Sequence, residues 1–178
     1  VIGWFRMNAT GSGELDTFGV SNIADGSVKN VIHRISSDLV TGATTVPFDD
    51  TPPLIGEGDE YMAVPFRPTN VNNKIKISSL VHISSSADQN SMVAALFQDA
   101  TSQSLSASFI DGGAANEQNQ ISLDHTMEAG TVAITTFRIR VGGDGAATNS
   151  FNGDASARKY GGVVGSYIRV EEEESQLQ

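Results

Sequence analysis

The chain of 178 residues contains no cysteine. That excludes disulfide scaffolds, zinc ribbons, iron–sulfur sites and thiol catalysis. Long hydrophobic runs are also missing, and none approaches the roughly 18 apolar residues that a membrane-spanning helix requires. No basic stretch followed by an apolar block opens the chain, so no secretory leader is expected. The first residue is Val1 and not Met, so the chain is expected to be either processed or a portion of something longer. Basic residues are scarce, with 11 Lys and Arg against 21 Asp and Glu, for a formal net charge of −10 at pH 7. A surface of that sign repels phosphate, so nucleic-acid partners and insertion into or adhesion to anionic membrane are not expected. Helix signals are scarce too. Gly, Pro and runs of Ser, Thr and Asn interrupt nearly every window of a dozen residues, and no i, i+3, i+4, i+7 apolar stripe survives.

Period-two alternation takes the place of the helical stripe. Over 74–84, Ile75, Ile77, Val81 and Ile83 share one face and Lys74, Lys76 and His82 the other. Over 134–141, Phe137, Ile139 and Val141 oppose Arg138 and Arg140. Segment 104–111 sets Leu105, Ala107 and Phe109 against serines, 121–127 aligns Ile121, Leu123, His125 and Met127, and 163–170 aligns Val164, Ile168 and Val170. Successive strand side chains point to opposite faces, so each segment offers one dry side and one wet side. The expected fold is all-β: an antiparallel two-sheet β-sandwich of jelly-roll type.

Turn residues fall between these runs. Asp25-Gly26, Asp111-Gly112-Gly113 and Asn152-Gly153 tolerate the positive φ of tight hairpins. All five prolines (Pro47, Pro52, Pro53, Pro65 and Pro68) lie between residues 47 and 68, which predicts irregular loop and edge strand there. Three units are expected: an N-terminal β segment or docking module over 1–40 holding the only Trp, Trp4; a β-sandwich over 41–172; and an acidic tail over 173–178, fraying after the last strand.

Catalytic and metal chemistry find little support. Asp49, Asp50, Glu57, Asp59 and Glu60 crowd one loop, yet their spacing matches no Ca²⁺ pattern. His33, His82 and His125 show no metal-ligand spacing, and His125 reads as a core residue beside an outward Asp124. No G-x-S-x-G elbow or Walker sequence occurs, and the glycines of 142–145 precede no helix that would complete a phosphate cradle. No catalytic residue, metal or cofactor is expected, and the chain reads as non-enzymatic.

Four stretches in order, 41–62 (TGATTVPFDDTPPLIGEGDEYM), 94–99 (AALFQD), 136–142 (TFRIRVG) and 149–168 (NSFNGDASARKYGGVVGSYI), resemble a C-terminal β-sandwich module of tailed-bacteriophage tail fibres and related virion proteins. The match runs from about residue 40 to 172. It departs at Pro53 and Leu54, where the family varies, and in its longer acidic tail. More loosely, 4–23 is similar to a short strand module that precedes it in phage fibres, with Gly19 standing where Asn is usual. The resemblance implies a homotrimeric virion protein, assembled in the host cytoplasm and exposed on the particle. Its partners would be other virion proteins and a host surface glycan, and its role host attachment. Capsid decoration or a head fibre docked through the N-terminal part is the alternative station, and a carbohydrate-active enzyme domain the alternative class.

Two sets of residues follow as site candidates. The loops 143–162 and 111–119 are expected to meet a receptor, through Asn152, Asp154, Arg158, Lys159 and Tyr160. Both faces of the strand around residue 95 are apolar, so it is central or lies between subunits. Val93, Ala95 and Phe97 are the trimer-contact candidates.

Overall fold

A computed structural model describes residues 27–175 as twelve strands and one short 3-10 turn at Tyr160–Gly162. The strands are β1 (Val28–Ser36), β2 (Val40–Gly42), β3 (Asp59–Phe66), β4 (Lys74–Ser85), β5 (Gln89–Gln98) and β6 (Ser106–Gly113), then β7 (Asn119–Glu128), β8 (Thr135–Gly143), β9 (Asn149–Phe151), β10 (Gly153–Asp154), β11 (Ala157–Arg158) and β12 (Ser166–Glu173). In one sheet β1 pairs with β12 and β12 with β4, while β7 takes the other edge of β4. On the β12 side, β9 continues beside residues 83–85 of β4 and carries β2. The second sheet runs β3-β8-β5-β6. Every pairing is antiparallel, and outer strands of the sequence nest around inner ones (β1 on β12, β3 on β8), the wrap of a jelly roll. The all-β antiparallel sandwich expected from the alternation is what the chain forms.

The dry faces are those the period-two pattern marks. Ile75, Ile77, Val81 and Ile83 from β4 meet Phe137, Ile139 and Val141 from β8 in one buried core with Met62, Val64 and Phe66 of β3. Each such side chain contributes about 1.5–3 kcal/mol on burial. Pro65 lies in β3, an edge strand, where its missing N–H breaks no central ladder. Along the β1/β3 side the two sheets are joined by side chains: Arg34 donates to the Ala63 carbonyl at 2.9 Å and Asn30 to that of Arg67 at 3.3 Å.

Several expectations are corrected here. Residue 40 is no boundary, because β1 pairs along β12 and β2 along β9, so 28–40 belongs to the sandwich. The expected docking module over 1–40, with Trp4 and Asp25-Gly26, otherwise falls on residues 1–26, outside the described residues. The acidic run is not a free tail either. The expected tail over 173–178 starts inside β12, because Glu173 still pairs as a strand residue after Glu171 and Glu172, and the Glu172 side chain is fully buried; residues 176–178 lie outside the described set. In β6 the alternation points the other way from that expected. Ala107 and Phe109 face solvent, while Ser106, Ser108 and Ile110 face inward. The register explains it: Ser108 pairs with Ala94 and Ser106 with Leu96, both core residues, so the serines take the inner face.

Val93, Ala95 and Phe97 are buried within the chain itself, which removes them as contacts between copies. They lie on the outer face of β5, and the proline-bearing loop 43–58 runs across that sheet. Val46 donates its N–H to the Gly143 carbonyl at 3.0 Å, and Arg140 of β8 reaches up to the carbonyls of Glu57 and Gly58 at 2.9 and 2.7 Å. Farther on, Leu54 bridges to Gln103 and Ser104 donates to the Pro53 carbonyl at 2.9 Å. Gly142 permits the crossing, since a Cβ there would stand 2.6 Å from the Thr44 carbonyl oxygen. The strand is apolar on both sides because loop covers one side and core the other.

Candidate functional site

Three of the twelve strands belong to the segment that carries the receptor candidates. All of β9 is buried, and Phe151 stacks on Tyr61 at 4.5 Å between ring centres. Asn152 follows in the left-handed region at φ 56, which Asn tolerates better than most residues. Its side chain is fully buried. The amide donates to the Ser36 carbonyl at 2.8 Å, the Asp38 carbonyl at 3.1 Å and the Tyr61 hydroxyl, and its oxygen accepts from the Ser166 hydroxyl at 2.7 Å. Burial raises the Tyr61 pKa above its ordinary value, against the lowering effect of the surrounding side-chain hydrogen bonds. Asn152 is therefore an anchor and not a receptor contact: no face of it reaches solvent.

Beyond the anchor the chain forms a small hairpin. Gly153 is required by close packing, because a Cβ there would meet Leu39 at 2.5 Å and the Ala157 carbonyl oxygen at 2.6 Å. The turn itself is Ala155-Ser156, both at positive φ (48 and 57), and not the Asn152-Gly153 pair expected from the sequence. A two-residue turn with both centres left-handed matches the strand twist, at a cost to Ala and Ser that Gly would not incur. Ser156 donates to the Ser150 hydroxyl at 3.0 Å and helps hold it.

Of the remaining candidates, Asp154 and Lys159 form an ion pair at 3.4 Å. Arg158 folds back on the Gly161 carbonyl at 2.9 Å, and Gly162, at φ 84, leaves room for its guanidinium. Tyr160 projects outward, 85% exposed and at φ 47, with Val163 81% exposed nearby in sequence. The structure thus gathers Asp154, Arg158, Lys159 and Tyr160 on one rigidly anchored loop and withdraws Asn152 beneath it. The second expected loop is fixed to the same end of β4: Asn116 donates to the Ser85 carbonyl at 2.6 Å, as the Ser84 hydroxyl donates to the Gly153 carbonyl at 3.0 Å.

The carboxylates crowded around the proline-rich loop are engaged separately, and Glu60 pairs with Arg138 at 2.9 Å. Asp49 accepts from Thr51, Glu57 from the Leu54 N–H at 2.8 Å, and Asp59 from both the N–H and hydroxyl of Thr44 at 2.9 and 2.8 Å. Among the described residues no three His, Asp or Glu side chains are grouped to hold a metal, and no helix is long and apolar enough to cross a membrane. His82 and His125 are half-buried, and burial lowers both pKa values.

Sequence reasoning left Glu172, at the end of the expected sandwich, without any role. One carboxylate oxygen accepts from the Thr69 N–H (2.7 Å), the Thr69 hydroxyl (2.8 Å), the Asn70 N–H (3.3 Å) and the Asn73 amide (2.8 Å). Burial raises its pKa, but these donors outweigh that, and the net shift is downward. The signal was present, since Glu172 continues the inward series Ile168, Val170.

No protein-family model matches the chain, and neither does any curated protein sequence. Among solved structures it is similar to Eiger TNF from S. frugiperda, with a TM-score of 0.47 and 10% identity over 84% of this chain and 96% of that one. It is also similar to infectious bursal disease virus, Gx strain, with a TM-score of 0.41 and 11% identity over 92% of this chain. The match spans only 42% of that viral chain. At these scores neither likeness bears on what the chain does.

Proposed function

We propose that this chain is a non-enzymatic structural module of a bacteriophage virion, a fibre-type unit that associates as a homotrimer and presents loops for host attachment. One observation carries the reading: an apolar row on the wet face of the β1-β12-β4 sheet. Ile35 pairs with Tyr167, and Tyr167 with Leu80, so the three stand side by side on one face. Ile35 is 63% exposed, Val31 lies exposed along the same face of β1, and His33 meets Tyr167 edge-on at 5.2 Å. A regular strand that shows Ile and Val to water on its outer face is suited to burial against another copy. This row replaces Val93, Ala95 and Phe97 as the contact between copies. The ordered resemblance of residues 40–172 to phage fibre modules supports the virion assignment.

Attachment is assigned to the loop above Asn152, where Tyr160 offers a stacking ring beside Lys159 and Asp154, groups suited to a surface glycan. Particles bearing Tyr160→Ala with Arg158→Ala should assemble normally and adsorb to host cells at least about tenfold more weakly, a change of about 1.4 kcal/mol. Full adsorption by such particles would contradict this assignment.

A further inference from the structure

The opposite face of the molecule carries a second exposed apolar patch. Phe48 of the 43–58 loop and Phe109 of β6 lie 5.9 Å apart between ring centres, 57% and 55% exposed, with Leu54 also exposed in the same loop. Asp49 and Asp50 follow Phe48 in the chain, and Asp111 stands two residues beyond Phe109 on the same face of β6; all three are exposed. Among the described residues none of these three carboxylates is in an ion pair, while Arg138 and Arg140, on the same sheet, are held by Glu60 and by the loop carbonyls.

Among the described residues the edge beside the patch is open, since β6 pairs there with β5 alone, in continuous register from Gln89↔Gly113 to Leu96↔Ser106. Other long edges carry devices that discourage a further strand. β3 has Pro65 and a bulge between Glu60 and Met62, and β1 has Lys29, Arg34 and an irregularity between Val28 and Asn30. β7 shows no large apolar side chain to solvent. β6 has neither Pro nor Lys nor Arg, and exposes a phenylalanine.

We propose that β6 and the Phe48–Phe109 pair form a docking site for an extended, basic and apolar segment of another protein, added as a strand on the β6 edge. Main-chain hydrogen bonds to the open edge would supply affinity. Alternate side chains would supply selection, an apolar one beside Phe109 and a cationic one beside Asp111, Asp49 and Asp50. A second copy of this chain is a poor occupant. The chain is itself acidic, and the cations of its own exposed edge β1 are engaged, Lys29 by Glu174 at 2.8 Å and Arg34 by the Ala63 carbonyl. The inference does not depend on the association proposed for the Ile35 face.

The test uses a labelled short peptide alternating Lys and Val, with a Glu and Val peptide as control, titrated by fluorescence anisotropy at low and high salt. The Lys-Val peptide should bind, weaken with salt, and slow amide exchange across residues 106–113. Phe109→Ser and Asp111→Asn should each weaken it at least about tenfold, with unchanged melting temperatures. Asp111→Asn, a wholly exposed change, keeps the test decisive if Phe109→Ser does not fold. Equal binding of the two peptides, or binding unaffected by Asp111→Asn, would overturn the proposal. A change in self-association on Phe109→Ser would overturn it as well, by giving the patch to a second copy.

Discussion

The buried carboxylate of Glu172 in the last strand accepts the Asn73 side-chain amide at 2.8 Å across 99 residues of sequence. Asn73 in turn accepts the Ser175 N–H at 3.3 Å, and Thr69 supplies two more donors to the same carboxylate. The connection between β3 and β4 is thus fastened to the C-terminal strand by one carboxylate that is in no ion pair among the described residues.

Glu172→Gln should cost about 2 kcal/mol at neutral pH, because a charge-assisted set of hydrogen bonds is weakened and a buried amide donor is left without a partner. Its folded pKa lies below its unfolded one, so its stabilisation is present above the unfolded value, near 4.3, and fades as pH falls through the folded value. Urea titrations of both proteins should therefore show a gap at pH 7 that closes in acid. A gap unchanged with pH would assign the loss to packing.

Asn152→Ala should destabilise by about 2–4 kcal/mol, since three acceptors and the Ser166 donor lose their partner and Ala disfavours φ 56. Paired with Ser166→Ala in a double-mutant cycle, it should show coupling above about 0.5 kcal/mol. Additive losses would mean that the network does not act as a unit.

Much of this was legible beforehand, and what was not has a common cause. The alternation in 74–84, 121–127 and 134–141 names the inward residues of β4, β7 and β8 because those strands have one wet face. The prolines placed the loop and edge strand for the equally local reason that proline cannot donate. The pattern failed where long-range partners decide. Serines turned inward in β6 because β5 fixed the register, and Val93, Ala95 and Phe97 were covered by a loop some forty residues upstream in sequence. The inward position of Glu172 was legible from Ile168 and Val170, but its role was not, because its donors lie about a hundred residues away. At the candidate site the sequence located the loop but not the division within it. Asn152 and Tyr160 are both polar turn residues, and only tertiary contacts bury one and expose the other.

Gly142→Ala tests the cover over β5. The new Cβ would meet the Thr44 carbonyl oxygen at 2.6 Å and Val46 at 3.1 Å, so the loop must lift. A loss of about 1–3 kcal/mol is expected, with faster amide exchange at Val46 and Gly58. Unchanged stability would show that the loop does not bear on the sheet.

Histidine titration should weaken the fold mildly in acid. With the pKa values of His82 and His125 lowered by burial, the unfolded chain binds protons first as pH drops below about 6.5. Stability should fall between that pH and the folded values. His82→Gln with His125→Gln should flatten this limb of the pH profile, and an unchanged slope would contradict it.

The molar mass in solution, measured by light scattering, tests the apolar row on β1, β12 and β4 most directly. The account predicts the mass of a homotrimer for the chain, and that of a folded monomer when Ile35→Glu and Leu80→Glu place charges in that row. A monomeric parent chain, or a trimer indifferent to both charges, would contradict it.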